Sequence, residues 1–234
     1  MVPPLKVVAP LIDKTKFKMK TALIAGSTGL IGKHLLQLLL ESDQYNLVKA
    51  ITRKPLDFQH PKLENIVVDF DKMTEQYSHF KTDDVFCCLG TTMKQAGSKD
   101  AFKKVDYDYP VEIAKVCKSQ GAKQYLLVSA LGANTTSGIY YNQIKGQVEE
   151  AIGAVAYDRY HIFRPSLLMG DRAEKRGGED AAKIVYKIFG FLIPTKYKGI
   201  QGEQVASAML HFASSIGSGK FIHESNELQL VNSN

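Results

Sequence analysis

Apolar residues along this chain gather in short runs, and the stretches between the runs carry them at helical spacing. Lys20 to Ala25 is a short apolar run that ends on glycine, after which Ile31, Leu35, Leu38 and Leu39 recur at helical intervals. "NLVKAIT" predicts a second strand, so the chain opens as strand, glycine turn, helix and strand. Further apolar runs, "ENIVVDF", "DDVFCCLG", "KQYLLVS" and "RYHIFRP", are each too short for a helix and are bounded by polar or turn residues. Lys99 to Gln120 and Tyr140 to Ile152 read as helices between them. Strands alternating with helices predict an α/β fold: a Rossmann-like, doubly wound parallel sheet with helices on both faces.

Past Pro165 the pattern changes. A charged, glycine-containing loop, "GDRAEKRGGED", precedes a helix-like run to Phe189, then "GEQVASAMLHFA" predicts another helix and "NELQLV" a last strand. The expected organisation is one nucleotide-binding domain over residues 19–234, within which 166–234 form a small substrate-facing region. Residues 1–18 are an extension of unassigned role. They look unlike a secretory leader, because prolines interrupt the apolar stretch and no small-residue cleavage site follows.

Composition narrows the class. With 234 residues, 44% of them hydrophobic, the chain can build one substantial core. No apolar run reaches the roughly 18 to 20 residues of a membrane helix, so no membrane partner is expected. The formal charge is +6, but the lysines are scattered among acids, which argues against nucleic acid and for a phosphate-bearing small molecule. Cys87, Cys88 and Cys117 give neither a disulfide framework nor a zinc spacing, and adjacent cysteines on a strand point to opposite faces. They read as small buried hydrophobes in a reducing, cytoplasmic protein. The six histidines lie far apart, and no metal is expected.

Gly26, Gly29 and Gly32, with Ser27, Thr28, Leu30 and Ile31 between them, form G-x-x-G-x-x-G. The spacing suits any tight strand-to-helix turn. Its position at a strand end, opening a helix, suits a dinucleotide, whose pyrophosphate approaches a backbone without Cβ atoms and meets the N–H groups of a helix start. At the end of the second strand, where an acidic residue would hold an adenosine ribose, stand Thr52, Arg53 and Lys54. Two cations and no carboxylate suit a 2'-phosphate, hence NADP(H), although a basic surface turn would read the same. Asp69 could accept from an adenine amino group with Phe70 against the ring, or could cap the next turn.

Tyr141 and Lys145 lie four residues apart, about 40° around a helix, so both side chains can reach one site. An ammonium beside a phenol favours phenolate and makes tyrosine usable as a proton donor to a carbonyl. The spacing alone does not discriminate, because Tyr45/Lys49 and Tyr77/Lys81 share it. Lys49 falls in the second strand and Tyr77 on a polar segment before the fourth. Only Tyr141 opens a helix soon after a strand ending in serine.

The glycine pattern, Asp69, "CCLGTT", "FKKVDYDY", Tyr141-x-x-x-Lys145 and "FRPSLLMGDRAEKRGGE" together resemble the atypical short-chain dehydrogenase/reductase family, in its Tat-interacting-protein-like branch. The resemblance covers about Met19 to Leu210. It implies a Rossmann fold, NADP(H), and Tyr141 and Lys145 in the catalytic positions, with Lys145 also on the nicotinamide ribose. It also implies that Leu89, Gly90 and Thr91 line the cofactor and that the segment from Pro165, through Leu168, meets the carboxamide. In one respect the chain departs from the family. Where two serines commonly end the fifth strand, this chain has Ser129 and Ala130: Ser129 is expected as a third catalytic residue, or else as a structural residue of the strand end, and Thr135, Thr136 or Ser137 in the following loop could supply the missing hydroxyl. The implied activity is reduction of a small carbonyl substrate by a monomer or homodimer. Some atypical members are thought instead to bind NADPH and signal through a protein partner.

Overall fold

The computed structural model describes residues 19–169 and 194–231. Its strands are β1 (Lys20–Ala25), β2 (Tyr45–Thr52), β3 (Leu63–Val67), β4 (Asp84–Cys87), β5 (Gln124–Val128), β6 (Arg159–Arg164), the two-residue β7 (Leu168–Met169) and β8 (Ile200–Gln201), and β9 (Gly219–Glu224). Seven of them form one sheet in the order β3-β2-β1-β4-β5-β6-β9, with every neighbouring pair parallel. This is the Rossmann-like arrangement that the alternation of elements predicts.

Burial on both faces explains why the central strands read as unbroken apolar runs. In β1, Leu23 and Ala25 join one core while Ala22 and Ile24 join the other. The first core is closed by α4 (Tyr109–Ser119) and α5 (Tyr140–Gly153), through residues such as Ile113, Val116, Val148 and Ile152. The second is closed by α1 (Gly32–Glu41), α6 (Gly202–Ala213) and the single turn α7 (Ser225–Leu228). From β1 the chain builds β2 and β3 on one side, then crosses to β4 on the other. The carboxyl ends of β1 and β4 therefore bound the crevice in which open α/β sheets hold their ligands.

The helix expected over Lys99 to Gln120 is continuous but not uniform. After the single turn α2 (Met93–Ala96), it runs as α3 (Lys99–Lys103), a π turn over Lys104–Asp108, and α4. The Tyr109 N–H donates to the Lys104 carbonyl, an i to i+5 bond, and Pro110 follows with no N–H to give. A proline placed there cannot close the ordinary bond to Asp106, which accounts for the widened turn.

Two local expectations are corrected, and one strand is added. "ENIVVDF" is strand only to Val67, and Phe70–Phe80 follows as 3-10 turns. "NELQLV" is not a strand: it contributes α7, whose Leu228 is fully buried in the second core. The outer edge of β6 is already taken by β9, whose sequence "GKFIHE" hides a strand behind glycine and charges. The charged loop "GDRAEKRGGED" and the helix-like run to Phe189 lie outside the described residues.

Candidate active site and its nucleotide crevice

The glycines sit at the switch point of the sheet. Gly26 ends β1 with φ +85°, and a Cβ there would lie 2.7 Å from the Cys88 carbonyl group on the adjacent strand end. A Cβ on Gly32 would lie 2.0 Å from the Gly26 oxygen, so only glycine lets α1 start this close to the strand. The Gly29 N–H donates to the Gly26 carbonyl, and the Gly29 carbonyl accepts from Lys33, both at 3.0 Å, so the first helical turn opens at Gly29. No side chain caps α1 and no acidic residue occupies its first turn. Thr28 and Gly29 face solvent, Ile31 is buried in the core, and the Leu30 backbone packs against Gly202 at the start of α6. Ser27 is 3% exposed, yet its hydroxyl has no hydrogen-bond partner among the described residues. An uncapped helix start, a cradle that a Cβ would fill and an orphaned buried hydroxyl fit the pyrophosphate of a dinucleotide.

Around this turn the other expected positions fall on strand ends. Arg53 and Lys54 follow β2 directly and are exposed. Asp69 accepts the Asp71 N–H at 3.0 Å and so caps the turn after β3. Phe70 is 8% exposed and packs on Tyr109 with ring centroids 5.2 Å apart, which leaves little of its ring for an adenine. Leu89 packs against the first core, Gly90 is exposed, and the Thr91 N–H donates to Asp106 at 2.8 Å. Pro165 is buried, with its carbonyl accepting from the Leu131 N–H at 2.9 Å, and Leu168 in β7 pairs with Ile200.

On α5, Tyr141, Lys145 and Glu149 follow one another at four-residue intervals along the inward face. The half-buried Tyr141 ring packs on Phe102, centroids 5.7 Å apart, with Tyr140 on the same ring at 6.0 Å. The Tyr140 hydroxyl is turned away and donates to the Lys99 carbonyl. Lys145 is buried, its ammonium 2.8 Å from the Asp106 carboxylate. Burial pulls the Lys145 ammonium down, but the Asp106 charge, with the Tyr141 phenol adding to it, outweighs burial and leaves the lysine above its ordinary value. One turn on, Glu149 accepts the Ser129 hydroxyl at 2.5 Å and both Nε and Nη2 of Arg164.

Ser129 is thus committed to Glu149, and Ala130 is buried beside it. The loop hydroxyls are engaged as well: Thr135 with Glu150, Thr136 with Asn134, and Ser137 with the Ile139 N–H. Cys87 and Cys88 lie in opposite cores, as the strand geometry predicts, and burial raises both thiols. Among the described residues no group of three or more metal-binding side chains occurs. The rival pair Tyr45/Lys49 lies in β2, where Tyr45 donates to Asp84 and Lys49 to the His79 carbonyl. Tyr77 falls in the 3-10 segment after β3.

Sequence reasoning missed Asp106, Glu149 and Arg164. A signal existed for each: Asp106 precedes Pro110 by four residues, Glu149 continues the four-residue interval of Tyr141 and Lys145, and Arg164 ends an apolar strand.

A doubly wound sheet with a glycine turn at its switch point, and a buried lysine beside a tyrosine on the neighbouring helix, defines a dinucleotide-binding Rossmann protein. Comparison with known proteins makes this specific. Residues 26–190 match the family described as NAD(P)H-binding, and the chain belongs to that family. It is 38% identical over 216 residues to Protein HTATIP2 of Rattus norvegicus, covering 90% of this chain and 88% of the relative. It is 35% identical over 202 residues to "Protein FMP52, mitochondrial" of Debaryomyces hansenii, covering 83% and 88%. The resemblance to the Tat-interacting-protein-like branch of the atypical short-chain dehydrogenases/reductases is thereby borne out. Among solved structures, the Bordetella bronchiseptica enzyme WbmH in complex with NAD+ shares the fold, with TM-score 0.68 and 16% identity over 89% of this chain and 76% of that one. The cytoplasmic expectation is overturned, because several of these relatives are named mitochondrial. Among the described residues no helix is long and apolar enough to cross a membrane.

Proposed function

We propose that this protein is an NADPH-dependent oxidoreductase that reduces a small carbonyl compound, with Tyr141 as its proton donor. What carries the reading is the placement of Tyr141 and Lys145 one turn apart on the inward face of α5, with Lys145 buried and ion-paired. In this reading the Gly26–Gly32 turn and the Ser27 hydroxyl hold the pyrophosphate, Arg53 and Lys54 the 2'-phosphate, and the second carboxylate oxygen of Asp69 the adenine amino group, while the buried Phe70 supports the turn rather than stacking on the base. Leu89, Gly90 and Thr91 line the cofactor, Pro165 and Leu168 meet its carboxamide, and Lys145 holds its ribose. NADPH, when bound, supplies a hydride to the carbonyl carbon. Tyr141 gives its proton to the carbonyl oxygen, so C=O becomes CH–OH, and the Lys145 ammonium, its charge offset at longer range by Asp106, is the cation beside the phenolate left behind. Residues 19–234 act as one domain, with 166–234 forming the substrate walls.

A second reading, a non-catalytic NADPH-binding regulator acting through a protein partner, is favoured by one observation. Ala130 stands where the family commonly has its second serine, and Ser129 is taken by Glu149.

Titration with NADPH and NADH, followed by a panel of aldehydes, ketones and quinones, separates the two. The expected result is NADPH oxidation that Tyr141→Phe abolishes while leaving NADPH binding intact. Arg53→Ala is expected to weaken NADPH by about tenfold to a hundredfold, the worth of a charge-assisted hydrogen bond, and to leave NADH unchanged. Binding without turnover on every panel member selects the regulator. No binding of either nucleotide sinks both.

A further inference from the structure

We propose that Asp106 makes the centre of this site electrically neutral, and so lets the protein retain the oxidised nicotinamide nucleotide nearly as well as the reduced one. The proposal rests on the reading above, in which Lys145 faces the nicotinamide ribose.

Asp106 is placed by the π turn, and its side chain is fully buried, as is nearly all of Lys145, exposed by 5%. One carboxylate oxygen stands 2.8 Å from the Lys145 ammonium. Among the described residues that oxygen makes no aligned hydrogen bond, so charge rather than direction holds the contact. The other oxygen accepts the Thr91 N–H at 2.8 Å. Gly90 lets the strand-end turn lie directly on the pair, since a Cβ there would fall 3.4 Å from the Asp106 oxygen and 3.6 Å from the lysine nitrogen. The next ionic group on the same face of α5, Glu149 with Arg164, is also a matched pair. Among the described residues, then, the buried charges of this helix face cancel two by two.

The two redox forms of a nicotinamide nucleotide differ by one positive charge on the ring. A lone buried ammonium near the ring opposes the oxidised form and selects the reduced one. With a carboxylate 2.8 Å from it, the ammonium acts on the ring as half of a short dipole, whose effect falls off far faster than that of a charge. A single unscreened charge several ångströms away, at an effective dielectric constant of about 20, changes affinity by about tenfold or more. Asp106 removes that discrimination. Oxidised nucleotide then competes with reduced nucleotide for the same crevice, and occupancy follows total nucleotide more than its redox ratio.

The test is the ratio of NADP+ to NADPH dissociation constants, measured calorimetrically on the wild type and on Asp106→Asn. The amide keeps the acceptor for Thr91 and the size of the side chain, and loses only the charge. The expected result is a wild-type ratio within about tenfold of unity, and a selective loss of NADP+ affinity of about tenfold in Asp106→Asn. Asp106→Glu should restore the ratio. An unchanged ratio would overturn the proposal, whether neither affinity moved or both weakened equally, the second case leaving Asp106 a scaffold residue. Should the amide variant not fold, as judged by its melting transition, Asp106→Ser is the second neutral variant for the same measurement. If the wild type binds neither form, the cofactor reading fails first and takes the proposal with it.

Discussion

The glycines show how single residues bound this site. Gly26 and Gly32 are demanded by backbone contacts of 2.7 and 2.0 Å that a Cβ would make, whereas a Cβ on Gly138 would meet nothing within 4 Å. Gly32→Ala is therefore expected to destabilise the protein by about 1–3 kcal/mol, the usual cost of overpacking, and to weaken NADPH binding as α1 shifts. Gly138→Ala should leave both unchanged. Urea unfolding midpoints and NADPH titration of the two variants check this, and an unaffected Gly32→Ala would show that the turn relaxes freely. At this scale the glycines were legible from their spacing at a strand end, and the Tyr141/Lys145 pair from its place at the start of a helix, since two other pairs share its interval. Asp106, Glu149 and Arg164 were not. A charged residue on a helix or at a strand end reads as solvated until the partner across the fold is known.

Among the elements, α5 couples site and scaffold. Its inward face carries Tyr141 and Lys145 near the crevice and Glu149 one turn further in, where Glu149 ties β5 to β6 through Ser129 and Arg164. The Glu149 side chain is 4% exposed and that of Arg164 21%. Arg164→Met leaves the carboxylate buried without its cation, and breaking a buried pair in this way costs about 3–5 kcal/mol, with the partial exposure of Arg164 favouring the lower end. The double variant Arg164→Met, Glu149→Gln should recover part of the loss. Denaturant unfolding of the single and double variants completes the cycle, and additivity of the two substitutions would show that the pair is not coupled. The π turn belongs to this scale as well. The periodicity of residues 99–120 correctly predicted helix, but only the proline after the turn hinted that one turn would widen and carry Asp106 to Lys145.

Across the whole molecule, the far edge of the sheet is fastened by histidines. His161 on β6 and His223 on β9 stand with ring nitrogens 3.0 Å apart, and His223 reaches Glu227 on α7 at 3.1 Å. If the Glu227 carboxylate accepts from His223, then His223 accepts from His161, and the far nitrogen of His161 is left as a bare acceptor, which agrees with its having no hydrogen-bond partner among the described residues. Phe221 and Phe212 stack on the two rings. Burial, with His223 and Arg159 nearby, lowers His161 from 6.5 to about 4. The unfolded chain therefore binds a proton that the native protein refuses between those values. The stability contribution is complete above about pH 6.5, is lost as pH falls toward 4, and changes little below that. The melting temperature should fall across this window, and His161→Leu should flatten the fall. An unchanged pH profile in that variant would show that His161 titrates freely in the native state.

The sequence by itself determined the layers of this protein and the glycine turn at their meeting point. Short apolar runs and 3.6-residue intervals are recorded in neighbouring residues alone, so the early strands, α1, α5 and α6 could be read locally. The glycine turn and the Tyr141/Lys145 interval are local for the same reason. Tertiary structure decided what depends on partners distant in the chain. It set β9 rather than "NELQLV" on the edge of β6, drew Asp106 to Lys145 across 39 positions and Arg164 to Glu149, and tied Ser129 to Glu149. The physical reason is common to all four. Whether a polar group is solvated or buried, and which charge answers it, is a property of the packed sheet and helices, and a one-dimensional pattern records only the spacing of the residues that will be packed.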